Sequence, residues 1–85
     1  MHYVYIVRCG DDSLYTGWTT DVPERINAHN SGHGAKYTRS RLPVTLVYHE
    51  LCADKSSALK RERAIKALSR EQKLALICSS HTEAL

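Results

Sequence analysis

Residues 3–29 read YVYIVRCGDDSLYTGWTTDVPERINAH, and this stretch leaves little freedom in how the chain folds. Tyr3, Tyr5 and Val7 alternate with Val4, Ile6 and Arg8, the period of two that marks a half-buried strand. Gly10, Asp11, Asp12 and Ser13 supply turn chemistry, and residues 14–18 restart an aromatic and β-branched run. The two runs are expected to pair as a hairpin, bringing the phenols of Tyr5 and Tyr15 towards one end of a small sheet. Asp21 is placed to cap a helix, Pro23 is tolerated in its first turn, and Glu24 completes a capping box. Val22 and Ile26 give that helix its buried stripe. Arg25 and His29, four apart, border it on one face. Ser31, Gly32, His33 and Gly34 end the helix, with a glycine free to take the left-handed C-terminal position.

The remainder follows from the same signals. Residues 34–41, GAKYTRSR, predict a short polar loop with three cations and one aromatic. Lys36 and Arg39 suit phosphates, with Arg41 beside them, and Tyr37 offers a ring on which a base can stack. The competing reading is an exposed loop whose cations serve solubility. Residues 43–50, PVTLVYHE, form the third strand, with Val44, Leu46 and Tyr48 alternating against Thr45, Val47 and His49. Residues 51–53 then carry the chain off the sheet. Asp54 caps a second helix over about residues 55–68, and the Ser69–Gln72 capping box starts a third over about 70–77. Residues 79–85 lack a periodic pattern and are expected to form a mobile tail.

The sum is one small α+β domain over residues 1–85, its core at about 3–68. Its expected order is β-β-α-β-α-α, a three-stranded antiparallel sheet flanked by three helices. No apolar run approaches a membrane span, and no signal-peptide pattern opens the chain, so a cytoplasmic protein is expected. Cys9, Cys52 and Cys78 are three and widely spaced, which suits reduced, idle thiols better than a disulfide framework or a zinc site. Net charge is only +3, yet it is unevenly spread. Nine basic residues oppose three acidic ones over residues 36–70, whereas two oppose four before that stretch. Such asymmetry fits either a phosphate-backbone binder or ordinary solvated helix faces.

Glu62 stands out on the second helix. It falls between Leu59 and Ile65 on the helical arc and one turn from Ala58, on the side that should face the core. A carboxylate there requires a cation, hydrogen bonds or a metal. A salt bridge to an arginine such as Arg25 and a divalent-metal site are both open on spacing alone.

Taken together, these residues resemble the GIY-YIG endonucleases. Tyr3-Val4-Tyr5 corresponds to the first half-motif, with Tyr3 where a glycine is usual. Tyr15-Thr16-Gly17 corresponds to the second, with threonine where isoleucine or valine is common. Arg25 follows Tyr15 by ten positions and His29 lies one helical turn later, as in the family pattern. The likeness covers about residues 3–68 and is nearest to stand-alone bacterial members akin to the nuclease domain of structure-specific endonucleases. It implies a metal-dependent DNA endonuclease with Tyr5, Tyr15, Arg25 and His29 at the catalytic centre and Glu62 holding one Mg²⁺ or Mn²⁺ ion. The implied partner is branched, flapped or nicked DNA, recognised by shape and backbone, in repair or recombination.

The chemistry is coherent. Arg25 carries a rigid fork suited to a phosphate oxygen. A free phenol titrates near 10, so Tyr5 needs nearby positive charge to serve as base, and the family assigns its first tyrosine that part. His29, with an ordinary imidazole value nearer working pH, is the competing base, and otherwise orients water or phosphate with Tyr15. Taken singly, Tyr5 and Tyr15 also suit cross-strand aromatic packing, and Arg25 with His29 a solvent-facing pair. Two other functions stay open: a nucleic-acid-binding module that lost the chemistry, and a protein-interaction adaptor.

Overall fold

In the computed structural model, which describes residues 1–83, β1 (His2–Arg8) and β2 (Leu14–Thr19) form the expected antiparallel hairpin. Its turn closes through Asp12 N–H to the Cys9 carbonyl at 2.9 Å and Cys9 N–H to the Ser13 carbonyl at 2.8 Å. α1 (Val22–Asn30) starts where Asp21 accepts the Glu24 N–H at 3.1 Å. It ends as the pattern predicts. Gly32 takes φ +84, and the N–H groups of Gly32 and His33 return to the carbonyls of His29 and Ala28.

Residues 34–41 are not wholly loop: α2 (Lys36–Arg39) is a single helical turn within them. Its cap, Ala35, makes no side-chain hydrogen bond, so no capping signal announced it. β3 (Thr45–Cys52) begins and ends two residues later than the predicted 43–50. Val44 is tied elsewhere: Asn30 Oδ1 accepts its N–H at 2.7 Å and Asn30 Nδ2 donates to its carbonyl at 3.1 Å. At the far end, Leu51 and Cys52 stay on the sheet, opposite Tyr3 and His2.

The sheet order is β2-β1-β3, so β1 is central and its residues Val4 to Val7 are fully buried. Val4 and Ile6 pack with Tyr48, Ala58, Ile65 and Ile77 on one face, under α3 (Lys55–Lys66) and α4 (Arg70–Glu83). Tyr5 and Val7 occupy the other face with Val44, Leu46 and Ile26 of α1. A register shift opposite Ile6 and Val7 places Leu46 and Tyr48 in different clusters, which breaks the simple alternation expected of that strand. Asp54 accepts the Ser57 N–H at 2.8 Å, and Ser69 and Gln72 cap each other reciprocally, as their spacing predicts. α3 stops at Lys66, two residues short of the expected end. α4 runs past residue 77 to Glu83, so the backbone of 79–83 is helical where a mobile tail was expected. The last part of that expectation, residues 84 and 85, lies outside the described residues.

Thr16 sits in β2 opposite Ile6, buried, and its Oγ1 has no hydrogen-bond partner among the described residues. An unmet buried hydroxyl costs about 1–3 kcal/mol. Thr16→Val keeps the shape and removes that cost, so it is expected to raise unfolding stability by about 1 kcal/mol in urea denaturation at unchanged m-value. A lowered midpoint would mean that the hydroxyl has a partner worth keeping.

Candidate active site

Strand register puts Tyr5 of β1 opposite Gly17 of β2. A Cβ at position 17 would lie 2.5 Å from Tyr5 Oη, so only glycine lets this phenol pass over the neighbouring strand. α1 covers the same face and presents His29 from its last turn, fully buried. His29 Nε2 is 2.7 Å from Tyr5 Oη, and Arg25 Nε donates to that oxygen at 3.4 Å. The imidazole also stands edge-on to the rings of Tyr5 and Tyr15, with centroids 5.8 and 5.6 Å away. Position 34 must be small as well, because a Cβ there would lie 2.6 Å from His29 Cγ. Tyr5 and Tyr15 are therefore not cross-strand partners of one another. Tyr15 faces Val7, and both phenols meet at His29.

The charges at this cluster follow from its burial. Desolvation raises the Tyr5 phenol above its ordinary 10.0, and the Arg25 hydrogen bond and charge oppose this only in part. The same burial, then the neighbouring Arg25 charge, lowers His29 below its ordinary 6.5. Both groups are consequently neutral at rest. For Tyr5 this direction is opposite to what a ready-made base requires.

Around this pair the other expected residues fall into place unevenly. Tyr15 stacks on Tyr37 at 5.7 Å, and the Arg41 guanidinium lies 4.0 Å above the Tyr37 ring. Arg41 is further held by Asp11 Oδ2 at 3.1 Å and the Tyr37 carbonyl at 2.8 Å. Tyr37 and Arg41 are thus engaged within the protein, whereas Lys36 and Arg39 are exposed and form no ion pair among the described residues. Arg25 lines a small concavity at the start of α1 with Thr19, Thr20, Asp21 and Glu24.

Glu62 on α3 is half-buried, its side chain 18% exposed, and pairs with Lys66 at 3.6 Å. The salt bridge to Arg25 that its position allowed is not formed, and Leu59, expected beside it on the core arc, is 40% exposed. Its negative charge is nonetheless close enough to add to the rise in the Tyr5 pKa. Lys66 Nζ lies 5.8 Å from the centre of the Tyr15 ring, so the last turn of α3 reaches the phenol side of β2. No three His, Cys, Asp or Glu side chains gather among the described residues, so the Glu62 carboxylate does not stand in a ready-made protein cage. Such a donor suits a hard divalent cation that keeps most of its waters, not a zinc cage.

The family profile for the GIY-YIG catalytic domain matches residues 1–75. The chain belongs to the GIY-YIG family. Among its relatives is a UPF0213 protein of Staphylococcus haemolyticus, 60% identical over 76 residues, covering 89% of this chain and 93% of the relative. A UPF0213 protein of Clostridium perfringens is 60% identical over 79 residues, covering 93% and 85%. The solution structure of a protein from E. faecalis is similar, with a TM-score of 0.64 at 42% identity over 95% of this chain and 86% of that one. A second solution structure, of a UPF0213 protein from Bacillus halodurans, gives 0.59 at 51% identity over 91% and 82%.

The GIY-YIG half-motif 15–17 thus owes its glycine to the Tyr5 phenol. Four site residues escaped the sequence reading: Thr38, which touches His29; Gly34, which makes room for it; Lys66, which pairs with Glu62; and Asp11, which holds Arg41. Only Lys66 carried a signal, its position four after Glu62 on a helix.

Because His29 is lowered in the folded protein, the unfolded chain binds more protons below the ordinary imidazole value of about 6.5. Stability is then expected to fall as pH drops through 6.5 towards the folded value. In a side-chain NMR titration the His29 ring should remain neutral at pH values that protonate histidine in a short peptide. A His29 midpoint at or above 6.5 would refute the buried, neutral assignment.

Proposed function

We propose that this protein is a divalent-metal-dependent DNA endonuclease, with the 2.7 Å Tyr5–His29 contact under Arg25 as the observation that carries the reading. Tyr5 and His29 act as one base. Since His29 is fully buried, it reaches the reacting water only through Tyr5. The attacking water gives its proton to Tyr5 oxygen as the Tyr5 proton passes to His29 Nε2, leaving a neutral phenol and an imidazolium. Tyr5 is itself covered at rest, and the long 3.4 Å bond from Arg25 is weak enough to yield when a substrate phosphate draws the guanidinium outward. The fork then stabilises charge developing on the phosphate oxygens.

Glu62, whose carboxylate now pairs with Lys66, would hold the ion, which when bound would supply a Lewis acid for the phosphate. Tyr15, packed against His29 and Tyr37, keeps the imidazole in place and offers its hydroxyl to water or phosphate. Lys36 and Arg39 grip the DNA backbone, while Tyr37 and Arg41 shape the wall next to Tyr15. Contacts of this kind carry no base code, which suits selection of branched, flapped or nicked DNA by shape, in repair or recombination.

The second reading, a binding module without chemistry, is favoured by the resting state of Tyr5, neutral and covered. A panel of linear, nicked, flapped and branched DNAs, with and without Mg²⁺ or Mn²⁺, separates the two. The nuclease reading expects metal-dependent nicking that falls at least ~100-fold in Glu62→Ala and in Arg25→Ala while DNA affinity persists. Lys36→Ala with Arg39→Ala is expected to weaken binding and flatten its salt dependence by roughly two phosphate contacts. Binding by the wild type without cleavage of any substrate would establish the module.

A further inference from the structure

The turn between α1 and β3 places one hydroxyl against the buried imidazole. Thr38 Oγ1 is 2.7 Å from His29 Nδ1 and 3.0 Å from the Ala35 carbonyl, and Thr38 is fully buried. A threonine has one proton to give. If it goes to the Ala35 carbonyl, Nδ1 carries a hydrogen that it donates to Thr38, and Nε2 accepts from Tyr5. If it goes to Nδ1, then Nε2 carries the hydrogen and donates to Tyr5 oxygen, which already accepts from Arg25. The buried Tyr5 hydrogen then has no acceptor within its hydrogen-bond set, an arrangement that folded proteins avoid. The first assignment satisfies every donor in the chain from phenol to carbonyl, and forgoes only the long 3.4 Å bond from Ala35 N–H to Nδ1.

We infer that Thr38 is a positioning residue: anchored on the Ala35 carbonyl, it holds His29 as the Nδ1–H tautomer and so aims the Nε2 lone pair at the Tyr5 hydroxyl. The competitor is visible. Ala35 N–H is aimed at the same Nδ1 at 3.4 Å, a long bond that favours the opposite tautomer and that Thr38, at 2.7 Å, has to outcompete. The other groups that face the imidazole are Tyr5 from β1, Tyr15 from β2 and Arg25 from its own helix, and none of them reaches Nδ1 within hydrogen-bond distance. With Nδ1–H in place, the Tyr5 proton can pass to the free Nε2 lone pair as the water proton reaches Tyr5 oxygen, and nothing at Nδ1 has to move. The opposite tautomer has no lone pair there, and the transfer stops.

The consequence for rate rests on the nuclease reading above, but the tautomer does not. Long-range ¹H–¹⁵N spectra of the wild type, Thr38→Val and Thr38→Ser separate the two questions. Wild type and Thr38→Ser are expected to show His29 protonated at Nδ1, and Thr38→Val at Nε2. In single-turnover cleavage, Thr38→Val should lose at least ~10-fold in rate at unchanged DNA affinity, with Thr38→Ser restoring most of it. A wild-type ring protonated at Nε2, or a Thr38→Val protein that keeps Nδ1–H and full rate, overturns the inference. The expected spectra without cleavage of any DNA uphold the tautomer assignment and count against the nuclease reading alone. Should Thr38→Val fail to fold, Thr38→Ala, which also lacks the hydroxyl, takes its place in the same spectra with the same expected outcome.

Discussion

A phenol and an imidazole meet 2.7 Å apart beneath the first helix, and most of this small fold is arranged to let them do so. Tyr5 comes from the central strand and His29 from the last turn of α1, so the contact fixes how that helix lies across the sheet. Glycine is required on both flanks, at 17 under the phenol and at 34 behind the imidazole. Neither could carry even a methyl group without pushing the pair apart. A buried polar pair of this kind is costly unless fully hydrogen-bonded, and here the chain of donors continues to a backbone carbonyl.

That pairing governs the electrostatics of everything around it. Burial makes the neutral forms of both groups the resting forms, so no net charge is sealed under α1. The formal charges sit at the rim instead: Arg25 over the phenol, Glu62 with Lys66 on α3, and the exposed Lys36 and Arg39 on α2. Such a layout keeps the neutral phenol–imidazole pair inside and the charged side chains outside. The single turn that carries Lys36 and Arg39 also carries Thr38, so the two exposed cations and the hydroxyl at the imidazole share one short element.

Where chemistry was local, the sequence was readable. Asp21, Asp54 and the Ser69–Gln72 pair cap helices because a cap needs only a side chain three residues from a free N–H. The alternation in residues 3–8 gave β1 its two faces, and the ordered spacing of Tyr5, Tyr15, Arg25 and His29 marked the site. Distant approaches were not readable. Asn30 captures Val44 and displaces the start of β3, an interaction across 14 positions that no periodicity encodes. The register shift beside Val47 splits Leu46 from Tyr48 for a similar reason. Helix α2 is one turn long, shorter than the window in which a helical period shows. Glu62 stood out in the sequence as a carboxylate on the core side of its helix, but its partner depended on which way Arg25 turned, and Arg25 turns to Tyr5.

In the proposed mechanism Tyr5 and His29 work as one unit. A double-mutant cycle on single-turnover DNA cleavage, with Tyr5→Phe, His29→Gln and both together, measures that directly. If the two residues share one proton transfer, each single variant loses at least ~100-fold and the double variant is no slower than the worse single one within about threefold. Losses that multiply in the double variant would show two independent contributions, and the paired base would have to be abandoned.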